Sequence, residues 1–281
     1  MRALDQLRDW PVRTAAAAVV TAEGVVASAG PLDHVFALAS VTKPLSALAV
    51  LVAAEEEAVS LDDPADAELL PGATLRHLLS HASGIAPEGR LRSFPPAARR
   101  VYSNVGFELA AELVETACGM RFADYLAQAV FAPLRMTAST LAGSPARDGR
   151  STVADLARLL RELLSPTGLL HPDTLADAAS VQYPGLRGVL PGFGGQDPND
   201  WGLGFELRAR KKPHWTGAAN SPETFGHFGQ SGTMFWIDPI ARVALVALAD
   251  EPFGPWAATA WPKLSDAVLA ALWADRSELD K

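Results

Sequence analysis

Apolar residues change period along the chain, and each change predicts a different element. Met1 to Trp10 carries helical spacing, while Thr14 to Ala29 is rich in Val and Ala around Glu23-Gly24, the turn chemistry that joins antiparallel strands. From Ser40 to Ala58, Leu45, Leu48, Ala49, Leu51 and Val52 recur on one helical face. Pro44 is tolerated only in a first turn, so this helix starts close to Ser40. Between residues 62 and 200, helical stretches at Phe107 to Thr116, Ala123 to Val130 and Val153 to Leu164 alternate with loops rich in Pro and Gly. After Trp201, period-two β-branched runs appear at Thr233 to Ile237 and Val243 to Ala249, joined through Asp238-Pro239. A closing helix from Trp261 to Trp273 places Leu264, Val268, Leu269 and Leu272 on one face. Strands at both ends with helices between predict an α+β fold: an antiparallel β-sheet flanked by N- and C-terminal helices, with an inserted helical lobe. The expected single domain spans residues 1–281, with a sheet lobe from about 1–60 and 201–281 and a helical lobe over about 61–200.

Composition narrows the function classes. Apolar residues make up 49% of the chain and charged residues 20%, enough for a large core. A net charge of −8 gives no overall attraction to nucleic acid or an anionic membrane, so a small molecule is the expected partner. Arg208, Arg210, Lys211 and Lys212 form a short basic run that reads as a solvated loop. The single cysteine, Cys118, excludes an internal disulfide and a cysteine-based zinc site, and its helical context places it in the core. Arg13 to Gly30 imitates a secretory signal, but Glu23 and Gly24 interrupt it and Asp5 and Asp9 stand where a signal is basic. No apolar run approaches the ~20 residues of a membrane span, so a soluble cytoplasmic protein is expected.

The candidate chemistry begins at Ser40-Val41-Thr42-Lys43. A serine hydroxyl needs a nearby base and donors for the developing oxyanion. Residues i and i+3 share a helix face, so Lys43 can reach the Ser40 hydroxyl near the positive end of the helix dipole. Alone this pair is weak evidence: 17 Ser and 5 Lys in 281 residues produce roughly 0.3 such pairs by chance, and Ser40 could instead cap the helix. Tyr102-Ser103-Asn104 adds a phenol able to relay a proton and an amide able to orient the lysine or hold a substrate carbonyl. Gly226 to Thr233 carries His227, Gly229 and Gln230, with glycines where backbone must approach a ligand closely.

The order Ser-x-x-Lys, Tyr-x-Asn, His-x-Gly resembles the serine β-lactamase, penicillin-binding-protein and esterase superfamily, particularly its class C-like branch. Thr74 to Gly84, Tyr102 to Gly119, Phe131 to Thr137, Ser151 to Leu160, Trp201 to Gly204 and Phe235 to Pro239 are similar to the runs expected there, so the resemblance covers nearly the whole chain. It implies an antiparallel sheet with flanking helices joined to an all-helical lobe, with the site in the cleft between them. It implies Ser40 as the acylated nucleophile, Lys43 and Tyr102 as a proton-transfer pair, and Asn104 as polar support. His227 and Gly229 fall on the substrate side, and the backbone amides of Ser40 and Gln230 form the oxyanion hole. His227 stands where β-lactamases and peptidases of the superfamily usually carry lysine, and the segment from Gly84 to Tyr102 is short.

The expected reaction is acyl transfer through an acyl-enzyme, most simply hydrolysis of small carboxylic esters, with no cofactor. A β-lactamase or D-alanyl-D-alanine carboxypeptidase-like amidase, an acyltransferase and a noncatalytic binding protein of the same fold are the alternatives. Lys43 or Tyr102 must lose its proton well below the usual ~10 for a base to exist at neutral pH, and the sequence leaves open which. A metal reading would use His77 and His81 at i, i+4 spacing, but no convincing glutamate base lies between them and satisfied helical histidines are the expectation. Trp201, Trp215, Trp236 and Phe228 could line an apolar pocket, but core or lobe-interface positions are commoner for tryptophan, so none is taken as a substrate contact. The oligomeric state stays open.

Overall fold

Ala15–Thr21 (β1) and Gly24–Ala29 (β2) form a hairpin around Glu23-Gly24, where Gly24 takes φ 135°. The C-terminal third supplies Glu206–Leu207 (β3), Phe225–Gly229 (β4), Thr233–Asp238 (β5) and Val243–Ala249 (β6). In the computed structural model, which describes residues 1–279 and side chains as far as Ala274, these make one sheet in the order β2-β1-β6-β5-β4-β3. All its neighbours are antiparallel. Strand β1 from the N-terminus pairs with β6 from the C-terminus, from Ala15 opposite Ala249 to Val20 opposite Ala244.

Both faces of the sheet are covered from β1 to β4, so strand residues there lie in apolar surroundings on either side, whereas Val25 and Val26 of the edge strand β2 are exposed. Ala16, Ala18, Val20, Phe235, Ile237, Val246 and Leu248 point to one core. Ala17, Val19, Trp236, Leu245 and Ala247 point to the other. Alanine is a poor strand former, but β1 accepts four because packing rather than propensity decides a buried strand. Val153–Leu164, inside the stretch expected to form the helical lobe, is an amphipathic helix packed on β1 and β6. The opposite face is closed by Leu4 and Leu7 and by Trp261, Leu264 and Val268 of the closing helix.

Several boundaries differ from the sequence expectation. The N-terminal segment Arg2–Asp9 is a 3-10 helix, and the closing helix runs from Pro255 to Leu279, starting ahead of Trp261. The helix expected from Ser40 begins with a 3-10 turn at Ala39–Val41 and becomes α-helical over Thr42–Glu55 (α1). Ala123 to Val130 divides into an α-helix at Phe122–Leu126 and a π turn at Ala127–Phe131. The basic run is not a solvated loop throughout. Lys211 is buried and donates to the carboxylate of Glu206 and to the carbonyls of Asp200 and Leu207, while Arg210 and Lys212 are exposed. A buried ammonium needs such a partner set, and Glu206, which also accepts from the indole of Trp215 and pairs with His214, supplies its counter-charge. Cys118 is half-buried against the core. Among the described residues no helix is long and apolar enough to cross a membrane.

Two features tie the loops ahead of β3 to the helical elements. The guanidinium of buried Arg100 donates to the carbonyls of Ser80, Gln182 and Asn199, tying the segment that leads to Tyr102 to residues 180–200. Gly204 lies at φ 83° with its amide donating to the carbonyl of Leu79, and a Cβ there would meet the Cβ of Ala47 at 2.1 Å. Ala47 lies one turn beyond Lys43 on α1, so this close approach seats the loop leading into β3 directly on the helix that carries Lys43. Gly204→Ala is therefore expected to destabilise the fold by about 2–4 kcal/mol, combining left-handed backbone with overpacking. Denaturant unfolding checks this; Gly89→Ala, also left-handed but with open space around its Cβ, should lose clearly less.

Candidate active site

Four separate segments meet around one hydroxyl. Ala39 sits at φ 45°, a left-handed conformation that costs a non-glycine residue energy, and it presents Ser40 at the start of α1. Ser40 makes no side-chain cap of either the 3-10 turn or α1, so its hydroxyl is not used in capping. Lys43, one turn on, places Nζ 3.3 Å from Ser40 Oγ. The same Nζ donates to Asn104 Oδ1 at 2.6 Å and to the carbonyl of Ala146 at 3.0 Å.

The second segment is the start of Asn104–Cys118 (α3). Ser103 is its N-cap, accepting from the amide of Gly106 at 3.1 Å, and Gly119 ends it at φ 65°. The cap thus fixes Tyr102 and Asn104 on either side of itself. Asn104 Nδ2 donates to Glu88 at 2.6 Å, and Arg147 donates to the same carboxylate at 3.2 Å. With its amide nitrogen held by a carboxylate, Asn104 has to turn its oxygen toward Lys43.

The third segment is the β4–β5 turn. Thr233 Oγ1 donates to the carbonyl of Leu38 at 2.8 Å and Ser231 Oγ to that of Ala37 at 2.6 Å, stitching the turn to the chain just ahead of Ser40. A Cβ at Gly229 would lie 2.2 Å from the Leu38 carbonyl oxygen, so the absent side chain faces the turn that carries Ser40. Ser40 and Gln230 consequently border the same cavity.

Charges in this site are set by burial. Lys43 is fully buried, and desolvation lowers its pKa to about 7; the Glu88 carboxylate opposes the shift and Arg147 adds to it. An ammonium at Nζ would donate all three hydrogens to the three acceptors. A neutral amine keeps two donors for Asn104 and Ala146 and turns a lone pair to the Ser40 hydroxyl. Tyr102 is shifted the other way: burial raises its pKa above the ordinary phenol value, opposed only by its hydrogen bond with Ser40. The Lys43 amine lies over the Tyr102 ring, 4.6 Å from its centre, rather than at its oxygen. The phenol oxygen is 3.5 Å from Nε2 of His227. His227 Nδ1 is 2.7 Å from the carbonyl of Phe228, which can only accept, so Nδ1 carries the hydrogen and Nε2 is free to accept from Tyr102. Burial first, and the nearby Lys43 charge next, lower the His227 pKa to about 3, leaving it neutral near pH 7.

Sequence reasoning missed part of this constellation. Glu88, Arg147 and the Ala146 carbonyl come from loops with no periodicity, and only the fold brings them to Lys43. The hairpin of Gly188–Leu190 and Gly194–Gln196 was also unread; its Leu190 and Pro191 close over Ser40. Trp201 and Phe228, read as core residues, line the cavity as well, together with Glu206. Trp215 and Trp236 are buried core. The cavity measures ≈ 40 Å³, room for roughly three waters. His77 and His81 do not share a helix face. His77 caps Leu75–Leu79 (α2) through the amide of Thr74 and stacks on Tyr183, whereas His81 lies beyond the helix end at φ 57°. His81 accepts from the amide of Ser103 and packs edge-on to Trp201 and against Tyr102, so it shapes the pocket wall. No group of three or more potential metal ligands occurs among the described residues.

The Beta-lactamase family profile matches residues 4–269, almost the full length. The chain belongs to the Beta-lactamase family. That places it in the β-lactamase and penicillin-binding-protein-like superfamily of serine hydrolases and acyltransferases, which act through acyl-enzyme chemistry on small esters and amides. A β-lactamase from Mycobacterium bovis is 52% identical, covers 96% of this chain and 99% of its own, and superposes with a TM-score of 0.94. A simvastatin synthase variant from Aspergillus terreus, 18% identical over 96% of this chain and 93% of its own, shares the fold with a TM-score of 0.79. Penicillin-binding protein 4* of Bacillus subtilis is 30% identical over 37% of this chain, and the match spans only 30% of that relative's length.

Within this Beta-lactamase family member, the ionisation of Lys43 is directly measurable. Heteronuclear NMR of ζ-labelled lysine should give a midpoint near pH 7. Removing the Glu88 charge as Glu88→Gln takes away a carboxylate that favours the ammonium, so the midpoint falls; Arg147→Gln removes a repelling cation, so it rises. A wild-type midpoint near the ordinary 10.5, or shifts of the same sign in both variants, would contradict this electrostatic account.

Proposed function

We propose that the protein is an esterase that hydrolyses small uncharged carboxylic esters through an acyl group on Ser40. The observation that carries this reading is the charge state of the cavity wall. His227 is held neutral by burial, and among the residues lining the cavity Glu206 alone is ionised near pH 7, a carboxylate already neutralised by Lys211. A β-lactam or a D-alanyl peptide brings its own carboxylate and would find no standing positive charge there. An ordinary ester loses nothing by its absence.

In this reading the Lys43 amine takes the proton of the Ser40 hydroxyl as Oγ attacks the ester carbonyl. The oxyanion faces the backbone amides of Ser40 and Gln230. As the bond from carbon to the alcohol oxygen breaks, Tyr102, kept protonated by burial, gives its proton to the leaving oxygen, and the Lys43 ammonium, which lies over the ring rather than at its oxygen, restores the phenol by relay through the incoming water. Asn104 holds Lys43, His227 supports Tyr102 through Nε2, and Gly229 gives the strand its approach to the nucleophile. Water then takes the alcohol's place, with the same base activating it, and carboxylic acid leaves. The β-lactam reading keeps one support, the 52%-identical M. bovis protein described as a β-lactamase, so a chromogenic cephalosporin is the fitting comparator.

Ser40→Ala should lose at least about a thousandfold in kcat/KM on p-nitrophenyl acetate, together with covalent labelling by a fluorophosphonate. Because Ser40 caps no helix, the stability cost should stay below the ~1 kcal/mol of a lost cap. Retained turnover in Ser40→Ala would remove it as nucleophile. Lys43→Ala and Tyr102→Phe should each cut acylation strongly, and the double variant should cost far less than their product, as groups acting in one proton transfer do. For substrate class, wild type is expected to be acylated faster by the p-nitrophenyl ester than by the cephalosporin, and His227→Lys to move that ratio toward the cephalosporin. A wild-type preference for the cephalosporin would overturn the ester assignment.

A further inference from the structure

The cavity at Ser40 is too small for a whole ester, and a second cavity of ≈ 480 Å³ shares two of its wall residues, Tyr102 and Pro191. This outer groove is predominantly apolar. Pro87 and Phe94 form one side, Val189 and Pro191 of the 188–196 hairpin the other, and the guanidinium of Arg99 lies 4.9 Å from the centre of the Phe94 ring, extending the platform. Phe94 and Val189 are exposed, at 37% and 54%, so two large apolar side chains line open space beside the Ser40 cavity, with the Arg99 guanidinium against the Phe94 ring.

The two cavities differ in what they offer a substrate. The inner one, at ≈ 40 Å³, is bordered by Ser40 and Gln230 and walled by Trp201, Phe228 and Leu190, which leaves room for the carbonyl and roughly one or two further carbons. The outer one, at ≈ 480 Å³, is much larger and shares Tyr102 and Pro191 with the inner one. We infer that the natural substrate is an ester of a short acid with a bulky apolar alcohol, the acyl part buried against Trp201 and Phe228 and the alcohol part lying in the Phe94–Val189 groove. This rests on the esterase reading above. The orientation follows from the wall the cavities share: the group next to Tyr102 is the one that must receive its proton, and beyond Tyr102 lies the larger space.

The test is a two-way ester series on the full chain. With acetates of ethanol, hexanol and 2-naphthol, kcat/KM should rise by at least about tenfold from ethyl to hexyl, given the burial of several methylenes. With p-nitrophenyl esters of acetic, butyric and octanoic acid, it should fall by a similar factor from acetyl to octanoyl. Phe94→Ala should lower the hexyl-to-ethyl ratio by about tenfold, and Val189→Ser, a change at a half-exposed position, gives the same readout should Phe94→Ala fold poorly. A flat alcohol series, a rise with acyl length, or unaltered ratios in both variants would overturn the assignment of the groove. Those outcomes are read on an enzyme that still turns over esters. Absence of all ester turnover and of fluorophosphonate labelling would instead overturn the underlying esterase reading.

Discussion

The buried amine of Lys43 is the group on which the rest of the site depends. Charge is costly in a dry interior, and at this position the cost brings an ordinarily basic amine to a pKa of about 7. Its three acceptors come from three different segments: Ser40 from the start of α1, Asn104 from the capped start of α3, and Ala146 from a loop. Each must be delivered with its oxygen pointing inward, and each delivery has a visible cause. A left-handed Ala39 turns Ser40, the Ser103 cap fixes α3, and Glu88 with Arg147 sets the face of the Asn104 amide.

The same dryness acts on the two neighbours with consistent sign. It keeps the Tyr102 phenol protonated and the His227 imidazole neutral, so a hydroxyl donor and a polar but uncharged partner stand side by side at the Ser40 cavity. A sheet covered on both faces makes this possible, because β4 runs beneath the site already desolvated by the Trp261 core behind it. The one carboxylate in the cavity wall, Glu206, is locked by Lys211, His214 and Trp215, and it contributes structure rather than net charge.

Much of this was legible from residue order. The hairpin at Glu23-Gly24, Val153–Leu164 and Val243–Ala249 fell where periodicity predicted, because each has one dominant packing direction and clear turn residues at its ends. Ser40, Lys43, Tyr102 and His227 stood out as candidates because they sit in short motifs on or beside regular elements, and the fold brings these four side chains together. What was not legible lies in long-range loop contacts. Glu88 and Arg147, 59 residues apart, carry no pattern of their own, and Leu190-Pro191 reads as ordinary loop until its hairpin closes over Ser40. The basic run was misjudged for a related reason: local charge density cannot reveal that Glu206 is placed to bury Lys211. The i, i+4 pair of His77 and His81 failed as a helix-face pair because α2 ends at Leu79, before the second histidine.

The central claim is that desolvation of Lys43 makes Ser40 a nucleophile near neutral pH. The second-order rate of fluorophosphonate attachment to Ser40, followed by intact-protein mass spectrometry from about pH 5 to 10, tests it most directly, since the probe needs neither a substrate assignment nor turnover. The rate should be low while Lys43 is protonated, rise with a single midpoint near pH 7, and level off above it. A rate that keeps climbing toward the ordinary lysine value of 10.5, or one independent of pH across the range, would contradict the account.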